Sequence, residues 1–317
     1  MPHDPTPKHG RRLVAGLFAL AGALSGPAMA FAQPQIIIDD KRSFPESLTS
    51  TADGTIILGS LDHGTIYRAP RGATKATPWI AAGPNGLERV LGVFANDASN
   101  TLWACTNSAD PQGKDATLKA FDLSTGALKA SYPFPNGGLC NDIEVARDGT
   151  TFATDTRGGR ILSLKPGASA LTVWGEDPKW VGIDGIALLQ DGNVLFNNVR
   201  ENQLVRVEKK PDGTAGTATV LELSQPISGP DGMRAMRDGR VIMAENRTGK
   251  LDLVHVDGNK ATINTIKDGF KLSLTAVTVT GDTAWVIETK FVYRTDPQLK
   301  DKDPEPFGAT PVPLPSH

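Results

Sequence analysis

Turn sequences built on aspartate and glycine recur along this chain at a nearly constant spacing, and they restrict the fold more than any other feature. Four of the turns carry Asp-Gly, and weaker turn sequences fill the two gaps in the series. An Asp-Gly pair between apolar runs is a strong signal of a β-hairpin. The turns are centred on Asp53, Asp97, Asp148, Asp191, Asp238 and Asp282. Their spacings of 44, 51, 43, 47 and 44 residues are typical of the blades of a β-propeller.

The flanks of each turn also repeat. An apolar strand precedes the turn, a strand such as "NVLFNNV" or "RVIMAEN" follows it, and a third strand such as "RILSL" comes after a further turn. This order supplies most of a four-stranded blade, and six blades would close a ring with only short edges. The 33 glycines and 23 prolines suit short strands joined by tight turns. We therefore predict an all-β protein, a six-bladed β-propeller spanning residues 33–295.

The two ends of the predicted ring must meet in one blade. The segment "QIIID" at 35–39 is the strand candidate that precedes the first turn, and we expect it to join the last blade beside "FVYRT" at 291–295. Residues 296–317 are rich in proline and charge, which predicts an extended, poorly ordered tail. A parallel β-helix is disfavoured because its repeats are shorter and lack regular Asp-Gly hairpins.

Residues 1–32 have the pattern of a secretory signal peptide. Arg11 and Arg12 precede the apolar run "LVAGLFALAGAL", and the small-residue sites "AMA" and "AFA" follow it, so cleavage is expected after Ala32. The apolar run is shorter than the roughly 20 residues of a membrane-spanning helix, and no membrane span is expected after cleavage. The mature chain would be periplasmic or secreted. The arginine pair leaves a twin-arginine export route open beside the general one.

Cys105 and Cys140 both remain after removal of the signal peptide. An oxidising compartment favours a disulfide between them. Two buried free thiols are the alternative, since a free cysteine packs as a small apolar residue.

Charge and motifs exclude several classes of function. The net charge of −2 offers no basic field for a phosphate backbone, so nucleic acid is not an expected partner. Fingerprints such as GxSxG, HExxH, the P-loop and the dinucleotide-binding motif are absent from the sequence. A small molecule is the expected partner, and the sequence does not indicate an oligomeric state.

The repeat register identifies candidate functional residues. The residue seven positions before each turn aspartate should occupy the same place at the start of each innermost strand. These residues are Glu46, Val90, Asn141, Asp184, Asp231 and Thr275. Because the innermost strands of a propeller surround one axis, we expect the four carboxylate and amide side chains among them to converge at the centre of one face.

Three carboxylates and an amide at one point require a cation, since like charges disfavour one another. All-oxygen ligation without a Cys/His cluster favours a hard ion, and calcium accepts six to eight oxygens in flexible geometry. We predict a Ca²⁺ site formed by Glu46, Asn141, Asp184 and Asp231, with Mg²⁺ or Mn²⁺ as alternatives. Ordinary turn chemistry is the alternative explanation for all of these residues except Glu46. A bound calcium could also brace the ring without catalysis.

A second group of polar residues ends the second strand of each blade, at the same face. These residues are candidates for positioning the ligands, although such side chains also commonly satisfy turn backbone. They are Asn107, Asp155, Asn197, Glu245 and Asn246.

The segments "FPESLTSTADGTI", "LCNDIEVARDGTTFATDT", "GIDGIALLQDGNVLFNN" and "GPDGMRAMRDGRVIMAEN" resemble the senescence marker protein, gluconolactonase and luciferin-regenerating-enzyme-like family. The resemblance covers residues 44–294. It implies a six-bladed propeller whose divalent ion is held by the residues at positions 46, 141, 184 and 231. It also implies hydrolysis of a lactone, or of another ester, with Asp231 as the general base.

Two positions depart from the family pattern. Leu139 occupies a place where sugar-lactone members tend to carry an arginine, and Asp184 stands where many members have asparagine. A less polar pocket and a more anionic metal cage imply a lactone or ester other than a sugar lactone.

Overall fold

The computed structural model describes residues 1–4, 33–110, 112–304 and 306–315. Most of the predicted signal peptide, residues 5–32, lies outside these ranges. The chain divides into two units, Met1–Ala32 and Gln33–His317, and every strand of the described residues belongs to the second. In the described ranges, no helix has the length and apolar character needed to cross a membrane.

The protein is all-β, which confirms the predicted fold class. Three short 3-10 helices, Gly83–Asn85, Asp97–Ser99 and Pro178–Trp180, and one α-helix, α1 (Val292–Thr295), interrupt the strands of the described residues. The strands are β1 (Ile36–Ile38), β2 (Pro45–Ser50), β3 (Ile56–Ser60), β4 (Ile66–Ala69), β5 (Lys75–Ile80), β6 (Arg89–Asn96), β7 (Thr101–Asn107), β8 (Ala116–Asp122), β9 (Leu128–Pro133), β10 (Cys140–Val145), β11 (Thr151–Asp155), β12 (Arg160–Leu164), β13 (Thr172–Glu176), β14 (Ile183–Leu188), β15 (Val194–Asn198), β16 (Gln203–Lys209), β17 (Ala215–Val220), β18 (Glu222–Leu223), β19 (Pro230–Ala235), β20 (Val241–Glu245), β21 (Lys250–Asp257), β22 (Lys260–Lys267), β23 (Leu274–Thr280), β24 (Thr283–Glu288) and β25 (Phe307–Pro313).

The described strands form five sheets. Three have four strands each, in the orders β6-β7-β8-β9, β10-β11-β12-β13 and β14-β15-β16-β17, and a fourth has the order β19-β20-β21-β22-β18. The fifth has eight strands, β2-β3-β4-β5-β1-β25-β24-β23. It consists of two antiparallel runs that the parallel pairing of β1 with β5 joins. Divided at that pairing, the set of sheets is compatible with six blades.

The four Asp-Gly pairs of the sequence analysis form the predicted hairpins between the first two strands of a sheet. In these turns the aspartate accepts a hydrogen bond from the backbone N–H two residues later, as Asp191 does from Asn193 at 3.0 Å. This short-range bond is the usual reason for aspartate in a tight turn. The turn at Asp97 differs, because a 3-10 turn begins at Asp97 and β6 extends one residue further. The register count to Val90 is therefore wrong by one residue, and Leu91 holds the equivalent place.

The last strand corrects two predictions. Residues 307–313 were expected in a poorly ordered tail, but they form β25, which pairs with both β24 and β1. The segment "FVYRT" is not the partner of β1, because four of its five residues form α1. Both prolines of β25 lie beyond the three residues that pair with β1, where a missing N–H leaves no partner unsatisfied. Phe307 and Ala309 are buried, so this strand contributes to the core.

Cys105 in β7 and Cys140 in β10 form a disulfide, with their Cα atoms 5.2 Å apart. The bond links two neighbouring sheets, and both residues are fully buried. Cys140 directly precedes Asn141, one of the four predicted ligands.

Replacing both cysteines with alanine should lower the free energy of unfolding by about 3–4 kcal/mol, because the bond closes a loop that spans 35 residues. Urea unfolding of the variant measures this loss. Wild-type protein in a strong reductant is the matched control, since it loses the bond but keeps both sulfur atoms. A loss below about 1 kcal/mol in both samples would contradict the prediction.

Candidate metal centre

The structure brings the predicted ligands together. Glu46, Asp184 and Asp231 each offer a carboxylate oxygen, and these oxygens lie within 4.8 Å of one another. The three side chains are only 5–7% exposed. Together with Asn141 they line a cavity of ≈10 Å³, which is about the space of one water-sized sphere. The four residues come from four different sheets, so the predicted register correctly places them at one point.

A bulge in each innermost strand aims its ligand at this point. In β10, Cys140 pairs with Asp155 and the next pair is Ile143 with Ala153, so one extra residue lies on the inner strand. The same irregularity follows Pro45 in β2, Ile183 in β14 and Pro230 in β19. Each ligand is the first residue inside its bulge. Bulges bend a strand and redirect a side chain, which turns these side chains towards the centre.

Glycines after two of the ligands let the inner strands approach closely. A Cβ atom on Gly185 would lie 2.4 Å from the carbonyl oxygen of Asp231. A Cβ atom on Gly232 would lie 2.7 Å from the carbonyl oxygen of Thr275. Any side chain at these positions would push neighbouring strands apart. Gly185 therefore lets the strands of Asp184 and Asp231 approach each other, and Gly232 does the same for β19 and β23.

Polar side chains of the second strands hold the backbone of the neighbouring inner strand. Asn107 in β7 donates to the carbonyl of Cys140 and accepts from its N–H, both at 2.9 Å. Asn197 in β15 accepts from the N–H of Gly185 at 3.2 Å and donates to the carbonyl of Asp231. Both candidate positioning residues thus hold the backbone beside the predicted ligands, and each makes at least one bond to a neighbouring sheet.

The other candidates of this group have different contacts. Asn246 donates to Oδ2 of Asp231 at 2.8 Å, so it orients a ligand carboxylate directly. Asp155 accepts from the N–H of Leu139 at 2.8 Å and from Arg160 Nε at 2.8 Å. Glu245 accepts from the N–H of Ser228 at 2.8 Å. Asp155 and Glu245 therefore fix the loops that enter the inner strands.

The electrostatics of the cluster favour a cation. Burial, followed by the charge of Asp231, raises the pKa of Glu46 and of Asp184 well above the ordinary range. Burial also raises the pKa of Asp231 to about 7, although hydrogen bonds from Asn246 and the Gly232 N–H oppose the rise. Without a metal these groups retain protons near neutral pH. A divalent ion would stabilise their ionised form.

The donor set fits a hard divalent cation. Oδ1 of Asp184 is buried and has no hydrogen-bond partner among the described residues, as expected of an atom that awaits a cation. Carboxylate and amide oxygens are the ligands that hard divalent ions such as calcium and magnesium take in proteins.

Two charged residues at the centre were missed by the sequence analysis. Asp142 follows Asn141 inside the same bulge and lines the cavity. Arg234 in β19 donates from one guanidinium nitrogen to both carboxylate oxygens of Asp142, at 2.9 and 2.8 Å. Both residues are buried. The available signal was an arginine inside the otherwise apolar strand "DGMRAM", since a buried charge requires a partner.

An apolar cluster lies beside the cavity. Ala276 lines the cavity and belongs to a buried cluster that includes Leu91 and Leu61. Leu139 and Tyr293 are partly buried and pack against this cluster, as does Phe291. Leu139 directly precedes β10, the strand of Asn141, and Leu91 holds the equivalent place in β6. An apolar cluster therefore adjoins the cavity at Ala276.

Comparison with known proteins shows the fold. No family model matches the chain, and no curated protein matches it. Many solved structures are similar, and three of them illustrate the likeness. A luciferin-regenerating enzyme has 11% identity and a TM-score of 0.63, over 86% of this chain and 91% of that chain. A gluconolactonase from Xanthomonas campestris has 15% identity and a TM-score of 0.62, over 90% and 99%. A calcium-binding protein, regucalcin, from Agrobacterium tumefaciens has 17% identity and a TM-score of 0.61, over 88% and 95%.

This chain shares their fold. Two of the three proteins carry names of the family that the sequence resembles, so the resemblance is confirmed at the level of fold. Identities below 25% do not extend the likeness to chemistry. The ligands, the activity and the substrate therefore depend on the geometry of this chain's own site.

Proposed function

We propose that this protein is an exported, divalent-metal-dependent hydrolase of the lactonase type, built on a six-bladed β-propeller. One observation carries the proposal: Glu46, Asp184 and Asp231 converge with Asn141 around one buried cavity. The division of the eight-stranded sheet into two antiparallel runs supports six blades. The signal-like sequence at 1–32 supports export to the periplasm or beyond.

The chemistry follows from the positions of the side chains. A bound calcium would act as a Lewis acid on the lactone carbonyl and favour the charge that develops on its oxygen. In this proposal Asp231 would hold the attacking water and accept its proton. Asn246 and the Gly232 N–H each donate to one oxygen of that carboxylate, at 2.8 and 2.9 Å. These bonds fix its orientation and leave lone pairs for the water.

The substrate should be less hydroxylated than a sugar lactone. Leu139, Phe291 and Tyr293 are only partly buried and adjoin the apolar cluster that reaches the cavity through Ala276. An alkyl or aryl substituent would remove this surface from water, which contributes about 0.8 kcal/mol for each buried methylene. Sugar hydroxyls would lose hydrogen bonds to water at the same wall.

Metal removal tests this proposal. Purified protein would be assayed with a sugar lactone, an alkyl-substituted lactone and an aryl ester, with and without a chelator. We expect turnover to stop on chelation and return on addition of calcium, and kcat/KM to be higher for the alkyl lactone than for the sugar lactone. Turnover that persists without a divalent ion would contradict the proposal.

A non-catalytic, calcium-braced propeller that binds a ligand or protein is the second candidate. The volume of the cavity favours it, because ≈10 Å³ accommodates an ion or a water and leaves a substrate to bind at the entrance. Calcium would then raise the melting temperature while no lactone or ester is hydrolysed. The same assays, read beside thermal unfolding, separate the two candidates.

A further inference from the structure

An ion pair connects four inner strands next to the metal centre. Arg234 belongs to β19 and Asp142 to β10, and they are 92 residues apart in the sequence. Oδ2 of Asp142 also accepts from the N–H of Ile186 in β14 at 3.3 Å. The second guanidinium nitrogen of Arg234 donates to the carbonyl of Val93 in β6 at 3.2 Å. The contacts of one buried pair therefore reach β6, β10, β14 and β19.

Three of these four strands, β10, β14 and β19, each carry one of the four predicted ligands. Asp142 directly follows Asn141, Ile186 lies two residues after Asp184, and Arg234 lies three residues after Asp231. A movement of any of these strands would break a charged or charge-assisted hydrogen bond of a buried ion pair. Such bonds are stronger than neutral ones. The pair is therefore placed to fix the spacing of the ligands.

Charge alone gives a different expectation. Arg234 lowers the pKa of Glu46 and opposes its desolvation, so the guanidinium acts on the cluster as a positive charge. If Arg234 only balanced charge, its removal would leave the centre more anionic and tighten cation binding. A positioning role predicts the opposite sign. The two roles can therefore be distinguished by metal affinity.

We propose that the Asp142–Arg234 ion pair is a positioning element of the metal centre, which holds the strands of Asn141, Asp184 and Asp231 at the spacing required for one cation. This inference rests on the proposed metal site. It assigns the pair a role in metal affinity and does not make either residue a ligand or a catalytic residue.

Calcium affinity of three single variants and one double variant tests the proposal. Asp142→Asn keeps the shape of the side chain and removes its charge, and Arg234→Met removes the guanidinium but retains an unbranched chain. Arg234→Lys keeps the charge and loses the planar fork that reaches both Asp142 and Val93. Titration calorimetry at pH 8 gives the affinity, and circular dichroism verifies folding.

We expect Asp142→Asn and Arg234→Met each to bind calcium about tenfold more weakly than wild type. The calcium affinity of the double variant should equal that of either single variant, because the two side chains act as one unit. Arg234→Lys should recover only part of the affinity. Asp252→Asn is the matched control, because Asp252 is fully buried in β21 and lies outside the cavity lining. It should alter stability without changing calcium affinity.

The result that overturns the proposal is an Arg234→Met variant that binds calcium as tightly as wild type or more tightly, together with a double variant of wild-type affinity. If Arg234→Met fails to fold, Arg234→Lys decides, because it keeps the charge and loses the planar fork, so wild-type affinity in this variant would reject a positioning role. A wild-type protein that binds no calcium would instead refute the proposed metal centre itself. The two failures are thus distinguishable.

Discussion

Replacing Asp231 with asparagine should lower kcat for lactone hydrolysis by about 10²–10⁴-fold, even when calcium saturates the protein. This is the usual contribution of a positioned general base. Asparagine keeps the size of the side chain and an oxygen for the metal, and it can still accept from the Gly232 N–H. It cannot take a proton from water. The loss should therefore appear in kcat measured at saturating substrate and calcium.

Asp184→Asn is the matched control for this measurement. It removes the same charge from the same cluster, and Asp184 and Asp231 have similar exposures of 7% and 5%. We expect Asp184→Asn to weaken calcium binding while kcat recovers once calcium is saturating. Equal losses of kcat in the two variants under saturation would show that Asp231 serves only as a ligand.

The convergence of Glu46, Asn141, Asp184 and Asp231 could be predicted from the sequence because local and repeated features determine it. The Asp-Gly turns fix where each innermost strand ends, and a strand of constant length then fixes where it begins. The same bulge recurs in β2, β10, β14 and β19, so one count found Glu46, Asn141, Asp184 and Asp231. In β6 the same count is wrong by one residue, because the strand is longer and the turn starts earlier.

Contacts between distant segments could not be predicted in this way. The sequence shows Asp142 and Arg234 as a turn acid and an isolated base, and only the closure of the sheets makes them neighbours. The pairing of β25 with β1 joins residues more than 250 positions apart. The prolines of β25 are also typical of a disordered tail, so the sequence did not predict this strand. Periodicity identifies equivalent residues, but it does not identify partners.

Calcium affinity should rise steeply with pH. In the metal-free protein burial raises the pKa of Asp231 to about 7, and burial with the charge of Asp231 raises the pKa values of Glu46 and Asp184 well above the ordinary range. Calcium must therefore displace protons near neutral pH, and the apparent affinity should increase about tenfold per pH unit for each proton released. Calorimetry in buffers of different ionisation enthalpy counts these protons. An affinity independent of pH between 6 and 8 would show that the carboxylates are already ionised.

The same groups determine how the stability of the metal-free protein changes with pH. Their folded-state pKa values exceed the unfolded values of about 4, so the folded state binds more protons and its stability falls as pH rises through about 7. Glu144 and Asp252, whose pKa values burial raises to about 7, contribute to this fall with or without calcium. The metal ligands contribute only when calcium is absent. The melting temperature should therefore fall more steeply between pH 5 and 8 in chelator than in calcium, and equal slopes would exclude ligation by these carboxylates.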